Sequence, residues 1–233
     1  MPCGRRFGAR KIRAKLMESE YVISERRIIR LMKEMELSSK VSRIYPNAAS
    51  DREYKYYPNK LKRQFFQEAP NLVWVSDITY VRVGEVFYYL CVVIDLFSRK
   101  VLSYAISDNI DTELVTAAFE KAFTDRHQPQ GLMFHSDQGA QYMAYEFRTL
   151  LRKYQVTQSF SKPGTPFDNA VAESFFASIK NEEFRRSFYN TEDELRTAVQ
   201  EYIKYFNDYR PHQRMGFQTP NQVERDFYNN LRE

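Results

Sequence analysis

The sequence predicts a mixed α/β domain in which helices flank a five-stranded sheet. Three strand-like segments follow one another without an intervening helix, at 72–82, 86–96 and 100–107. Helical and strand-like segments then alternate, which favours a mixed sheet flanked by helices. The segment 86–96 is apolar almost throughout, as expected of a strand buried on both faces. With 43% hydrophobic and 15% aromatic residues, the 233-residue chain can fill a substantial core.

The pattern begins with a short helical module at residues 1–43. Ile12 and Leu16 indicate a first helix over about 10–19, and Ser24 is suited to cap a second helix. The apolar face of that second helix comprises Ile28, Leu31, Met32 and Met35. Because only a short turn separates the two helices, we expect a helix-turn-helix-like arrangement.

Positive charge is concentrated in this module. The whole chain carries +5, but residues 5–43 contain twelve Lys and Arg against five Glu, a net +7. The remaining residues are therefore slightly acidic. A separable basic module is typical of nucleic-acid binding, although a solvated helical face is also compatible with the pattern. The candidate DNA-binding residues of the second helix are Arg26, Arg27, Arg30 and Lys33.

Residues 44–70 contain three prolines and no clear periodicity, which predicts a linker. Its basic patch, a second candidate DNA contact, comprises Lys60, Lys62 and Arg63. Its aromatic residues are Tyr45, Tyr54, Tyr56, Tyr57, Phe65 and Phe66. Such side chains can stack on unpaired bases or anchor the linker to the core, and the sequence leaves both possibilities open.

Beyond the third strand, the elements alternate as the fold class requires. The pattern predicts a helix over about 111–125, a strand over 132–137, a helix over 144–154 and a strand over 156–160. Thr191 begins a capping box closed by Glu194, and Thr219 with Pro220 predicts the start of a short last helix. The chain thus divides into a helical DNA-binding module at 1–43, a basic and aromatic linker at 44–70, a catalytic core at 71–185 and a C-terminal helical extension of the core at 186–233.

One further helix, DNAVAESFFASIK at 168–180, carries the residues of greatest interest. Asp168 or Asn169 is expected to cap it. Its buried stripe is predicted to comprise Val171, Phe175 and Ile179. Glu173 and Lys180 share a different face of the helix. Taken alone, these two residues are compatible with an ordinary surface ion pair.

Two upstream aspartates change that interpretation. Asp77 lies within the apolar strand LVWVSDITYV, and Asp137 lies where the run LMFHSDQGAQY becomes polar. A carboxylate in such apolar surroundings is costly unless something pairs with it. Together with Glu173, these residues predict three carboxylates that converge on hard cations. Mg²⁺ prefers oxygen ligands, and a pair of such ions promotes phosphoryl transfer.

Other classes of site and location are disfavoured. Cys3 and Cys91 are the only cysteines and form no disulfide framework, as expected of a reduced compartment. The three histidines are scattered, which excludes a zinc site of Cys and His spacing. No run approaches the roughly 18 apolar residues of a membrane span, and no stretch of signal-peptide type opens the chain. We therefore expect a soluble, cytoplasmic protein.

The spacing of the carboxylates resembles a known signature. Thirty-five residues separate Asp137 from Glu173, and Lys180 follows seven positions later. This resembles the D, D-35-E pattern of transposases and integrases with a retroviral-integrase-like core. Five local stretches are similar to the second-reading-frame product of bacterial insertion sequences: WVSDITYV, VIDLFSRKVLSYAIS, HSDQGAQY, DNAVAESFFASIKNE and YFNDYRPHQRMGFQTP. The resemblance extends from about Arg5 to Glu224.

This resemblance implies a ribonuclease-H-like core and metal-dependent DNA cleavage and strand transfer at the ends of an insertion element. It implies that Asp77, Asp137 and Glu173 are catalytic and hold two Mg²⁺ ions, for which Mn²⁺ can substitute, and that Lys180 binds DNA phosphate. The implied partners are the element's terminal repeats, target DNA and further copies of the chain, with no membrane. In this family an upstream helix-turn-helix and coiled-coil region comes from the first reading frame, and this chain begins almost at the module that follows it.

Two other functions remain open at this stage. A ribonuclease-H-like nuclease would cut DNA without joining it, and a degenerate element product would bind DNA without acting on it. The basic module disfavours the first, and the intact carboxylates with Lys180 disfavour the second.

Overall fold

The computed structural model describes residues 7–37, 57–162 and 165–231. The chain forms two compact units, one of residues 47–203 and the other of residues 1–46 with 204–233. The division into four functional segments made above stays a prediction.

The larger unit is built on a five-stranded sheet. Its strands are β1 (Val73–Val83), β2 (Val86–Asp95), β3 (Val101–Ser107), β4 (Met133–Ser136) and β5 (Thr157–Phe160). The strand order is β3-β2-β1-β4-β5, so β1 is central. It pairs antiparallel with β2 and parallel with β4. The predicted five-stranded mixed sheet flanked by helices is confirmed.

The helices are α1 (Ala9–Glu18), α2 (Glu25–Glu34), α3 (Thr112–Asp125), α4 (Ala140–Met143), α5 (Tyr145–Lys153), α6 (Ala170–Ile179), α7 (Glu192–Asp208) and α8 (Pro220–Asn230). A 3₁₀ turn at Pro166–Asn169 precedes α6, and a π-helical turn at Lys180–Phe184 follows it. In the described ranges, no helix is both long enough and apolar enough to cross a membrane.

One aromatic cluster fills the core between the sheet and α3. Trp74 of β1 and Phe119 of α3 are fully buried, with ring centroids 6.3 Å apart. Phe134 of β4 meets Phe119 edge-on at 5.4 Å. Burying such rings in preferred edge-on or offset geometry stabilises both the sheet and its helical layer. The core therefore fixes β1 and β4 as neighbours, which matters for the site below.

The segment at 57–70 packs on this unit more closely than the linker prediction implies. Leu61 is buried, and the backbone amides of Lys60 and Leu61 donate to the Ser159 hydroxyl. The Tyr57 ring lies 5.2 Å from that of Phe160, so Tyr57 is an anchor to the core. Phe66 remains exposed. Residues 44–56, including Tyr45, Tyr54 and Tyr56, lie outside the described residues.

Helix α6 differs from its prediction at its start. It begins at Ala170, and neither Asp168 nor Asn169 caps it through its side chain. Both side chains are taken up by tertiary contacts described below. Its buried residues are Ala172, Phe175, Phe176 and Ile179. Val171 is only half-buried, so the buried stripe is displaced by one residue at its first position.

In the smaller unit, α1 and α2 pack on each other. The Ser24 hydroxyl accepts the Arg27 N–H at 3.3 Å, as expected of the predicted cap. Of the expected apolar face, only Ile28 is buried, whereas Leu31 and Met35 are exposed. Two ten-residue helices share a contact surface too small to cover a full stripe. Thr219 caps α8 as predicted.

Candidate active site

The pairing of β1 with β4 brings the two predicted aspartates to the same level of the sheet. In this parallel register Val75 lies opposite His135. Two residues further along each chain come Asp77, still within β1, and Asp137, directly after β4 ends at Ser136. Because parallel strands keep a constant register, the two carboxylates lie at the same level, where β4 ends beside β1. The two aspartates differ in their surroundings, because β1 continues past Asp77 whereas β4 ends just before Asp137.

Glu173 reaches the same region from α6, which packs against β1. The Asn169 amide donates to the Ser76 carbonyl at 3.0 Å, directly before Asp77. Glu173 lies one helical turn beyond that contact, in the first turn of α6, and its side chain is exposed. The third predicted carboxylate is thus tied to the strand that carries the first.

The pKa of Asp77 reflects both its burial and the negative charge of its neighbours. Its pKa is raised to about 7. Burial is the largest cause, the charge of Asp137 adds to it, and Glu173 has a smaller effect in the same direction. The Ile78 N–H and the Lys180 ammonium oppose the increase. A carboxyl group with a pKa near 7 is half-protonated at neutral pH, as expected of a desolvated group that lies close to other carboxylates.

The other two carboxylates respond in the same direction. Loss of solvation raises the pKa of Asp137, although part of its side chain reaches solvent, and the Gly139 N–H partly offsets that increase. Loss of solvation also raises the pKa of Glu173. All three groups are therefore easier to protonate than ordinary carboxylates. A cation bound among them would reverse that tendency.

Lys180 lies beside the cluster. Its Nζ is 5.3 Å from the centroid of the Tyr80 ring, which is mostly exposed. Burial lowers the pKa of Lys180, whereas the neighbouring Asp77 carboxylate raises it in part. The structure thus places the Lys180 ammonium over the Tyr80 ring and near enough to Asp77 for each to affect the pKa of the other.

Each aspartate has one carboxylate oxygen engaged by the backbone. Oδ1 of Asp77 accepts the Ile78 N–H at 2.8 Å, and Oδ1 of Asp137 accepts the Gly139 N–H at 3.0 Å. No described residue donates to the second oxygen of either side chain. Two oxygens from neighbouring strands are therefore left for another ligand, and carboxylate oxygen is the donor that Mg²⁺ prefers. Within residues 7–37, 57–162 and 165–231, no set of three or more His, Cys, Asp or Glu is arranged to enclose an ion.

Gly139 is required by close approach rather than by an unusual backbone angle. Its φ of −58° is accessible to any residue. A Cβ at this position would lie 3.0 Å from Oδ1 of Asp137 and 3.1 Å from Nε2 of Gln141. Glycine therefore lets the backbone N–H reach the Asp137 carboxylate.

The predicted DNA-binding residues lie in three places: beside Asp77, where Lys180 is found, on the segment before β1, and on α2. Lys60 and Lys62 are exposed on the segment before β1. Arg63, next to them, donates through Nε to Asp168 at 2.6 Å. Arg26, Arg27, Arg30 and Lys33 are exposed on α2, in the smaller unit.

Asp168 gathers several donors besides Arg63. Asn59, the Lys162 N–H and Thr165 also donate to its carboxylate. Burial alone would raise the pKa of Asp168, but these hydrogen bonds outweigh it and hold the pKa below its usual value. The side chain expected to cap α6 instead joins the segment before β1 to the turn before α6.

Sequence reasoning assigned no role at the site to four buried polar residues around the cluster: Ser76, His135, Tyr142 and Asn169. His135 contacts Ser159 through Nδ1 at 2.9 Å and Ser161 through Nε2 at 3.1 Å. Burial lowers its pKa to about 4, so it is neutral at physiological pH. A signal was available, since Ser76 and His135 are polar residues inside otherwise apolar runs, each within two positions of a predicted aspartate.

Comparison with known proteins agrees with this geometry. Residues 67–166 and 154–220 match two models of the integrase core domain. The catalytic core domain of HTLV-2 integrase, solved in complex with magnesium in a trimeric form, superposes with a TM-score of 0.55 at 21% identity, covering 67% of this chain and 98% of that one. The strand order and the helical layer therefore define a ribonuclease-H-like integrase core, the fold of a class of polynucleotidyl transferases.

Full-length similarity identifies the family within that class. A transposase for insertion sequence element IS904 from Lactococcus lactis is 33% identical over 230 residues, which covers 94% of this chain and 88% of that protein. A 31 kDa protein of insertion element IS600 from Shigella sonnei is 34% identical over 216 residues, covering 92% of this chain and 79% of that protein. The chain belongs to the family of insertion-sequence transposases with an integrase core.

Proposed function

We propose that this chain is a DDE transposase that cleaves DNA at the ends of an insertion element and joins the freed 3′ ends to target DNA, with divalent metal ions as cofactors. The observation that carries the proposal is the convergence of Asp77, Asp137 and Glu173 from β1, the end of β4 and α6. Burial, together with the charges of Asp137 and Glu173, raises the pKa of Asp77, so keeping it ionised is costly in a protein without ligands. Bound cations would remove that cost, because they stabilise the ionised carboxylates.

The three carboxylates would hold two Mg²⁺ ions, or Mn²⁺ in their place. Asp77, Asp137 and Glu173 would supply the carboxylate ligands for both ions. The unengaged oxygens of the two aspartates and the exposed side chain of Glu173 fit that assignment. Bound ions of this kind activate the attacking oxygen and stabilise the leaving oxygen in phosphoryl transfer.

The chain's own residues then position DNA rather than attack it. Water is the nucleophile in cleavage and the freed 3′-OH is the nucleophile in joining, so no protein nucleophile is required. Lys180, next to Asp77, binds a DNA phosphate at the site. Lys60 and Lys62 provide a second basic surface for DNA, next to Arg63, whose charge is compensated in part by Asp168.

Binding of duplex DNA is assigned largely to the exposed basic residues of α2, which are Arg26, Arg27, Arg30 and Lys33. Joining both ends of an element requires two active sites in one complex. The proposed active form is therefore a homo-oligomer assembled on DNA.

The test is a strand-transfer assay on labelled duplexes that carry both ends of the encoding element, with magnesium and with chelator. The wild-type protein should cleave and join only with magnesium, and Glu173→Gln should do neither while binding DNA normally. Glu120→Gln, on the exposed face of α3, is the matched control. Cleavage without joining would identify a nuclease, and binding without cleavage would identify an inert remnant.

A further inference from the structure

Ser76, the residue before Asp77, contacts two segments that adjoin the other two predicted carboxylates. Its hydroxyl lies 2.8 Å from the hydroxyl of Tyr142 on α4. Its carbonyl accepts the Asn169 amide at 3.0 Å. Tyr142 follows Asp137 by five positions, and Asn169 precedes Glu173 by four. One strand residue therefore joins β1 to α4, which follows Asp137, and to the 3₁₀ turn that precedes α6, through two hydrogen bonds.

Both bonds are shielded from water. Ser76 and Tyr142 are fully buried, and Asn169 is 5% exposed. Buried hydroxyl and amide groups keep their partners because losing one leaves a desolvated polar atom. Cys91 adds a weak contact, with its Sγ 3.5 Å from the Ser76 hydroxyl. These bonds are consequently durable constraints on the local geometry.

The Asn169 side chain is not explained by stability alone. The Ser76 carbonyl needs a donor, which fixes Nδ2 toward it and leaves Oδ1 facing elsewhere. Oδ1 is buried and has no hydrogen-bond partner among the described residues. An unsatisfied buried acceptor is destabilising, which offsets much of the gain from the bond to Ser76. The bond therefore contributes little net stability, and its main effect is to fix the turn before α6 against β1.

The segments beside Asp137 and Glu173 need such a constraint. Helix α4 is a single four-residue turn, and α6 opens from a 3₁₀ turn with no side-chain cap. Neither start is rigid by itself, because helix ends with unsatisfied N–H groups fray easily. Their bonds to Ser76 tie them to the central strand of the sheet.

We propose that Ser76, Tyr142 and Asn169 are positioning residues that hold Asp137 and Glu173 at a fixed separation from Asp77. This assignment rests on the proposed function, since it gives the three residues a role in arranging metal ligands. They touch neither metal nor DNA. They act through the side chains they position.

The experiment compares Asn169→Ala, Tyr142→Phe and Ser76→Ala in the full chain. Thermal unfolding is measured over a magnesium titration, and the DNA-nicking rate is measured at saturating DNA. Outer-shell substitutions at metal sites typically cost about 10–100-fold in affinity or activity. We therefore expect Asn169→Ala to raise the magnesium midpoint by about tenfold and to slow nicking by about 10–100-fold. The Tm without metal should fall only modestly, because removal of the unsatisfied Oδ1 partly offsets the loss of the donor to the Ser76 carbonyl.

A double substitution separates the two bonds. Ser76→Ala and Tyr142→Phe remove the same hydrogen bond, so the double variant should match Tyr142→Phe alone. Asn169→Ala acts on the Ser76 carbonyl, which Ser76→Ala retains, so those effects should add. Tyr154→Phe and Asn109→Ala, a core tyrosine and an exposed asparagine away from the cluster, are the matched controls.

The possible failures are distinct. A wild-type protein with neither a magnesium-dependent Tm nor nicking activity would overturn the proposed function and this assignment together. A wild-type response that Asn169→Ala leaves unchanged would overturn the positioning role alone. A metal-free Tm that falls in parallel with the nicking rate would show ordinary packing residues and would also overturn it.

Discussion

Replacing Asp77 with asparagine should make the metal-free protein more stable at pH 8 while it abolishes cleavage. Asparagine has nearly the same shape as aspartate, and its amide oxygen can accept the Ile78 N–H as the carboxylate does. What the substitution removes is a charge held near Asp137 and Glu173. The expected gain comes from relief of that repulsion and of the desolvation of Asp77.

The magnitude follows from the pKa of Asp77. A rise from 3.8 to about 7 in the folded protein corresponds to about 4 kcal/mol for ionising the group in place. Because the folded-state pKa is raised, the stabilisation due to the bound proton is full below pH 3.8 and is lost as pH increases through about 7. Wild type therefore lacks it at pH 8, whereas asparagine never titrates. The advantage of Asp77→Asn should be about 4 kcal/mol at pH 8 and should vanish toward pH 4.

The assay is urea unfolding of both proteins at several pH values, with chelator and with magnesium. Magnesium should stabilise wild type by mass action and should have no such effect on Asp77→Asn. The control is Asp125→Asn, which breaks an exposed pair with Lys121 and should change stability by less than about 1 kcal/mol. An Asp77→Asn protein less stable than wild type at pH 8 would refute the reasoning, since it would mean that the carboxylate is held by favourable contacts.

Three other outcomes are expected. Manganese should support cleavage in place of magnesium, whereas calcium, which favours higher coordination, should permit DNA binding with little chemistry; equal turnover of all three ions would contradict the ligand set. The four basic residues of α2 to be replaced with glutamine are Arg26, Arg27, Arg30 and Lys33. Their replacement should reduce the steepness of log affinity against log salt concentration by roughly 3.6 for duplex DNA. An unchanged slope would mean that DNA is held elsewhere. Because burial lowers the folded-state pKa of His135 from 6.5 to about 4, its neutral form stabilises the fold above pH 6.5, and that contribution should fall by about 3 kcal/mol as pH decreases through this window. Comparison of the pH dependence of unfolding with that of His135→Gln measures it, and identical slopes would show that His135 does not titrate in this range.

The sheet could be predicted because its signals are local. Long apolar runs such as that of β2 have few alternatives to a buried strand, and turn residues separate them. The candidate carboxylates could be found for the same reason, since Asp77 and Asp137 are polar exceptions inside or at the end of apolar strands. Neither inference required knowledge of what each strand pairs with.

What the sequence did not reveal depends on contacts between distant residues. Local rules assign Asp168 to a helix cap, yet its carboxylate pairs with Arg63, a partner 105 positions away. The same pairing engages a guanidinium that composition alone assigns to DNA. Asn169 was considered only as a cap, because its bond to Ser76 becomes visible only once β1 and α6 are adjacent.

The connectivity of the sheet also affects the order in which the protein folds during synthesis. Strands β1, β2 and β3 are consecutive antiparallel neighbours, so they can pair by short loop closures as they leave the ribosome. The parallel partner β4 arrives only after α3, and α6 arrives later still. Contacts between residues far apart in sequence form slowly because loop closure must precede them. The carboxylate cluster should therefore be completed last, and pulsed hydrogen exchange during refolding should protect β1–β3 before β4. A nascent or prematurely terminated chain that ends before α6 would be structured yet harmless to the genome that encodes it.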